Sequence, residues 1–259
     1  MWAPYDDRRP FLVLMAALIA MTWLALGIWS VSPYGRYLDH GVLEELKFSI
    51  SVEYLVFLLT FVVGWTLMTV AMMLPTSMPL VTLFRRLTRQ RSDRLQLVVL
   101  LVVGYLGVWT LFGALAHFGD FFVHEAVERS AWLETNAWVI GAGTIMLAGL
   151  YQFTPLKYKC LDKCRSPLSF IAEHWRGSHE RSQAFRLGVH HGLFCVGCCW
   201  SLMLLMFVVG IGNLGWMLAL GTVMAVEKNM PWGKKISTPL GMALVGWGLA
   251  LVASATLIG

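Results

Sequence analysis

Long apolar runs separated by short polar segments follow one another along the chain. A helix that rises about 1.5 Å per residue needs about 20 residues to cross about 30 Å of hydrocarbon. Seven runs approach this length, at about residues 11–31, 54–84, 97–117, 137–157, 187–209, 212–227 and 236–258. None alternates with the two-residue period of a membrane β-strand. The pattern predicts an all-α, polytopic bundle of about seven transmembrane helices, with residues 1–259 forming a single integral membrane domain.

The composition supports a lipid-facing surface. Of the 259 residues, 58% are hydrophobic and 14% are charged, whereas soluble domains carry about 25% charged residues. The formal net charge of +5 does not indicate a nucleic-acid partner, because the basic residues lie in short blocks between the apolar runs. The bilayer is therefore the predicted surrounding of the chain.

The same basic blocks predict an orientation. If there are seven spans, all but three of the 20 Lys and Arg residues fall on one side, and the exceptions are Arg36, Lys47 and Arg129. The basic side of a bacterial membrane protein is cytoplasmic. We therefore expect a multi-pass protein of the bacterial inner membrane with its N-terminus in the cytoplasm.

The fifth run carries the densest group of metal-binding residue types. At about 100° per residue, one helical stripe holds His191, Cys195, Cys199, Met203 and Met206, with Cys198 at its edge. Thiolates and thioethers are soft ligands that suit Cu(I), while Cys and His would also bind zinc. The alternative is that these residues pack the core as ordinary small or flexible apolar side chains.

Two further groups extend this pattern. Met68 and Met72 lie one turn apart just before Pro75, at about the same depth as the cysteines of the fifth run, which permits one site shared between helices. A Met-rich lipid face would give the same pattern. Cys160 and Cys164 share a helix face at the cytoplasmic end of the fourth run. They are expected to be a shallower pair that either collects a cation or simply stays reduced.

Glu227 and Lys228 stand at the inner end of the sixth run. We expect them to form a charge pair at the helix end or to contact lipid headgroups, and the less favoured alternative is a buried role.

Four motifs in order carry a resemblance to a known family. They are Trp65-x-x-Met68-x-x-Ala71-Met72-Met73-x-Pro75, Tyr151-Gln152-x-x-Pro155-x-Lys157-x-x-Cys160-Leu161-x-x-Cys164-Arg165-x-Pro167, Cys195-x-Gly197-Cys198-Cys199-Trp200-x-x-Met203 and Glu227-Lys228. The chain resembles a bacterial family of predicted metal-binding integral membrane proteins, a domain of unknown function whose members are sometimes labelled copper-related. The resemblance implies an inner-membrane protein with a metal site at these Cys, Met and His positions, and it implies no particular reaction.

The leading hypothesis is a membrane protein that binds Cu(I) for delivery or transport, without an enzymatic activity of its own. The candidate metal ligands are Cys195, Cys198, Cys199, Met203, Met68, Met72, His191, Cys160 and Cys164. Its partners would be the lipid bilayer, the metal ion and a metallochaperone or membrane metalloenzyme. Two alternatives are an accessory subunit or assembly factor of a metalloenzyme complex, and a thiol oxidoreductase that uses Cys195 and Cys198. No nucleotide-binding loop is present to support an ATP-driven pump.

Overall fold

The computed structural model describes residues 8–32, 52–176, 180–210 and 212–258. It is 89% helical and has no strand among these residues, which confirms the all-α prediction. The helices are α1 (Arg8–Val31), α2 (Val52–Met72), α3 (Leu74–Leu87), α4 (Arg94–Glu128), α5 (Ala131–Thr135), α6 (Trp138–Tyr151), α7 (Pro155–Arg165), α8 (Pro167–His174), α9 (Glu180–Val209), α10 (Leu214–Asn229) and α11 (Ser237–Ile258). A short 3-10 helix, Gly233–Ile236, leads into α11.

Five segments of the described chain are long and apolar enough to cross a membrane. They are α1, α2, α4, α9 and the segment Gly233–Leu257, and the pair α6 and α7, bent by 64°, is a possible sixth. α10 has 16 residues, and such a helix rises about 24 Å, less than the hydrocarbon thickness of about 30 Å. A helical membrane bundle fits, while the count of seven and the cytoplasmic N-terminus stay predictions.

The outer helices present apolar side chains to their surroundings. On α1, Leu24 and Ile28 are 65% and 70% exposed, and on α11 Leu249 is 53% exposed. Exposed apolar faces of this kind suit a lipid environment rather than water.

The second predicted span is two helices that meet at Met73. Pro75 and Pro79 have no backbone N–H, so neither can donate the hydrogen bond that would continue the helix. At the break, the Met73 carbonyl accepts hydrogen bonds from the hydroxyls of Thr76 (2.7 Å) and Tyr105 (3.3 Å). The break places Met73 in the core, where it has no exposed surface.

The fourth predicted span bends after Tyr151. Thr154 caps the next helix by accepting a hydrogen bond from the Lys157 N–H (3.3 Å), and Pro155 occupies the first turn, where its missing N–H costs little. The bend lays α7 against α9. The two cysteines of α7 therefore turn towards those of α9.

α4 and α9 pack against each other through glycines. A Cβ atom added at Gly104 would strike the Phe185 carbonyl, and one added at Gly188 would strike the Leu101 carbonyl. Gly188 and Gly192 form a small-xxx-small pair, which lets helix backbones approach closely. No proline interrupts α4, so it continues to Glu128, beyond the predicted end at about residue 117.

The starts of the same two helices are joined by charge. The Arg91 guanidinium pairs with Asp93 (2.9 Å) and with Glu180 at the first residue of α9. Its hydrogen bond holds the pKa of the Asp93 carboxyl below the usual value. This bridge fixes the end of α9 that leads to the cysteines.

The glycine contact gives a direct prediction. We expect Gly104→Ala to destabilise the purified protein by about 1–3 kcal/mol, because the added methyl group overpacks a backbone contact. The control is Gly107→Ala on the same helix, where an added Cβ meets nothing within 4 Å. Unfolding in detergent measures both, and equal stability of the two variants would contradict the packing argument.

Candidate metal centre

α9 presents the predicted stripe to the interior. The Cys195, Cys198 and Cys199 side chains are exposed by 1% or less, and Met203 and Met206 are fully buried. His191 also lies inside, stacked on Tyr105 with 5.5 Å between the ring centroids. The helical period therefore identified the inward face of this helix correctly.

Sulfur atoms from three segments meet along this face. The Cys199 Sγ lies 3.8 Å from the Met73 Sδ at the break between α2 and α3. The Cys198 Sγ lies 3.9 Å from the Cys164 Sγ of α7. The Cys198 and Cys199 thiols also donate hydrogen bonds to the Cys195 carbonyl (3.1 and 2.8 Å). We call these five residues, Cys164, Cys195, Cys198, Cys199 and Met73, the sulfur cluster.

A lysine ammonium points into the sulfur cluster. The Lys228 Nζ lies 2.9 Å from the Cys195 Sγ, 3.7 Å from the Met73 Sδ and 3.2 Å from the Thr76 hydroxyl. The Tyr105 hydroxyl approaches the same Cys195 Sγ to 3.1 Å. Cys195 is thus held by two polar groups in an otherwise apolar core.

The expected surface role of Glu227 and Lys228 is wrong. Both side chains are buried, at 2% and 6% exposure, and they point to different partners. Glu227 accepts hydrogen bonds from Lys157 (2.7 Å) and Ser237 (2.7 Å). The Arg165 guanidinium donates to the Glu227 carbonyl. These bonds join α7, α10 and α11 at one point.

The two cysteines of α7 have different surroundings. Cys160 packs against Gly197, where an added Cβ would lie 2.6 Å from the Cys160 Sγ. Cys164 is half-buried and contacts Cys198. The expected separation between a shallow pair and a buried trio therefore does not hold for Cys164, because the bend after Tyr151 folds α7 onto α9.

Two of the predicted methionine ligands, Met68 and Met72, lie in the core. Met68 and Met72 are 0% and 2% exposed, and the Met72 side chain lies against Gly221 of α10. Met73, the next residue, is the one that reaches Cys199. Pro75 is the sequence feature that could have pointed to Met73, because a break in a helix changes which residues face inward.

The predicted histidine ligand borders the sulfur cluster. The His191 Nε2 lies 3.2 Å from the Ser77 hydroxyl, and its Nδ1 has no hydrogen-bond partner among the described residues. In the same part of the chain, no group of three His, Cys, Asp or Glu side chains is placed to hold a metal ion. The sulfur contacts are therefore pairwise, Cys199 with Met73 and Cys198 with Cys164, and the four thiols do not converge on one point.

A family model described as PpoB2, copper chaperone, matches residues 62–251. The chain belongs to this family. The matched range contains the whole sulfur cluster and Lys228. The resemblance to a copper-related family is thereby confirmed, and copper is the metal that the family description names. No similar protein was found among those of curated function, and no similar fold among solved structures.

The buried ion pair yields a stability prediction. Lys157→Met leaves the Glu227 carboxylate buried without its cation, so we expect a loss of about 3–5 kcal/mol. The double variant Lys157→Met with Glu227→Gln should recover most of it. The control is Lys163→Met, which removes an exposed pair with Glu173 (2.5 Å) and should cost less than about 1 kcal/mol. Chemical unfolding in detergent compares them, and equal losses for the two single variants would contradict this assignment.

Proposed function

We propose that the chain is a membrane-embedded copper chaperone that binds Cu(I) at the sulfur cluster and passes it to a partner protein. The observation that carries the proposal is the pair of sulfur contacts on the buried face of α9, Cys199 with Met73 at the helix break and Cys198 with Cys164 of α7. Membership in a family described as copper chaperone supports copper as the cargo.

The chemistry of the donors favours Cu(I) over zinc. Structural zinc sites use four ligands, drawn from Cys, His, Asp and Glu, at the corners of a tetrahedron, whereas the Cys199 Sγ contacts a methionine thioether. Thioethers and thiolates are soft ligands that select Cu(I). We therefore assign the Cys199 and Met73 contact and the Cys198 and Cys164 contact to a monovalent copper ion.

The spacing of the sulfur atoms suits transfer as well as binding. The two sulfur pairs, 3.8 and 3.9 Å apart within each pair, are linked through the adjacent residues Cys198 and Cys199 of α9. Cys164 is half-buried, whereas the three cysteines of α9 are almost fully enclosed. We place the exchange with a partner at Cys164, with the α9 cysteines as the inner ligands.

We further propose a bacterial inner-membrane location, with residues 1–259 as one domain. Seven spans result if the bent pair α6 and α7 counts as one and α10 counts despite its length. The basic blocks then lie in the cytoplasm, together with the N-terminus. In this orientation the end of α7 that carries Cys164 is on the cytoplasmic side, where a metallochaperone or a metalloenzyme subunit would meet it.

One observation favours thiol oxidoreductase activity as the second candidate. The Cys164 and Cys198 sulfurs are close enough that a small movement would allow a disulfide, with loss of two electrons and two protons to an oxidant. A copper chaperone would keep all five cysteines of the chain, the four of the sulfur cluster and Cys160, reduced while it carries copper. Mass-tag alkylation of unfolded protein before and after treatment with an added oxidant distinguishes the two functions, because thiol oxidoreductase activity requires the loss of two free thiols on oxidation and their return on reduction.

The copper proposal predicts the behaviour of cysteine variants. We expect the full chain to retain about one copper ion when it is purified in detergent and loaded anaerobically against a Cu(I) chelator. Cys199→Ser should lower the Cu(I) affinity by about 100-fold, because a hard hydroxyl replaces a soft ligand. Cys160→Ser is the matched control and should bind normally, since this thiol faces Gly197. Copper-free wild-type protein, or equal losses in both variants, would refute the assignment.

A second prediction separates the methionines. We expect Met73→Leu to weaken Cu(I) binding by about tenfold, because it removes the thioether while keeping nearly the same volume. Met68→Leu, equally buried on the neighbouring turn, should leave the affinity unchanged. Chelator competition with both purified variants measures the difference, and a larger effect at Met68 would show that the break at Met73 is not part of the site.

A further inference from the structure

Lys228 is a buried cation whose contacts are unusual. Its ammonium meets the sulfur atoms of Cys195 and Met73 and the hydroxyl of Thr76. Among the described residues no carboxylate lies within ion-pair distance of it, although Glu227 is its neighbour in the sequence. The Glu227 carboxylate is turned instead to Lys157 and Ser237. The Lys228 ammonium therefore faces two sulfur atoms and a hydroxyl, and no described carboxylate neutralises it.

A fixed positive charge in a metal site acts on any metal that binds there. Coulomb repulsion between the ammonium and a bound ion is proportional to the charge of the ion, so it is twice as large for a divalent as for a monovalent cation. The site is buried, so water screens this repulsion weakly. Excess buried charge that has no partner is also costly in itself.

The pairing of Glu227 strengthens this effect. If Glu227 faced Lys228, the two charges would cancel and the sulfur cluster would be the only charged element that a metal meets. Because Lys157 takes the carboxylate at 2.7 Å, the ammonium keeps its full charge 2.9 Å from the Cys195 sulfur. Glu227 and Lys228 thus have separate roles. The Glu227 carboxylate joins helices, and the Lys228 ammonium faces the proposed metal ligands.

We propose that Lys228 is a specificity-determining residue that makes the sulfur cluster reject soft divalent cations and accept monovalent ones. This inference rests on the proposed function, because it assigns a charge class to the cargo of that same site. The site would then select its ion by charge repulsion from Lys228 as well as by ligand softness. Both are needed because cadmium and zinc also bind thiolates. Softness alone would not exclude those ions.

The experiment compares Ag⁺, a soft monovalent probe, with Cd²⁺, a soft divalent probe. Both affinities are measured by competition in detergent for the wild type and for Lys228→Met. We expect the ratio of Ag⁺ to Cd²⁺ affinity to fall by at least about tenfold in the variant, mainly through tighter Cd²⁺ binding. Lys228→Arg, which keeps the charge, and Lys235→Met, which removes an exposed lysine nearby, should keep the wild-type ratio.

The outcomes separate the two proposals. If Lys228→Met binds Ag⁺ and keeps the wild-type ratio, the selectivity role is refuted while the copper proposal stands. If the wild type binds neither ion, the sulfur cluster is not a metal site and both fail. Lys228→Gln, which retains a hydrogen bond to Thr76, gives the same readout should the methionine variant unfold, and circular dichroism of each purified variant establishes its folding. An unchanged ratio in the glutamine variant overturns the inference equally.

Discussion

The close contact between α4 and α9 is the constraint on which the rest of the centre depends. Glycines at 104, 188 and 192 leave no room for a side chain between the two backbones, so these helices are fixed in both rotation and depth. With α9 held there, Tyr105 reaches the Cys195 sulfur and lies under His191. The cysteine face of α9 then lies against the break at Met73, α7 and Lys228 of α10.

The buried charges complete the arrangement. A charged group inside an apolar core requires a partner, and Lys157 with Glu227 meets this requirement by joining α7 to α10. That bond holds α7 in the position from which Cys164 contacts Cys198. Lys228 has no such partner and is satisfied by sulfur and hydroxyl groups. Two adjacent residues of one helix thus stabilise the scaffold and set the charge of the site.

Much of the fold was predictable from the sequence, because each feature depended on local pattern. The length of the apolar runs predicted the helices, and the 3.6-residue period predicted the buried face of α9. The order of the motifs indicated the family. The site residues from other segments were harder. Met68 and Met72 were chosen over Met73 because their spacing of one turn places them on the same helix face, and the break at Met73 brings a different residue to Cys199. Cys164 and Lys228 depend on the bend after Tyr151 and on how α10 packs, and neither follows from spacing along the chain.

A carrier has to hold its ion firmly enough to keep it from water and loosely enough to give it up, and a buried set of thiols with one half-buried member meets both needs. The most direct test of this account is X-ray absorption at the copper edge of the full chain, loaded anaerobically in detergent. The account predicts monovalent copper with a first shell made of sulfur. A first shell dominated by nitrogen or oxygen, or copper that is stably divalent, would contradict it.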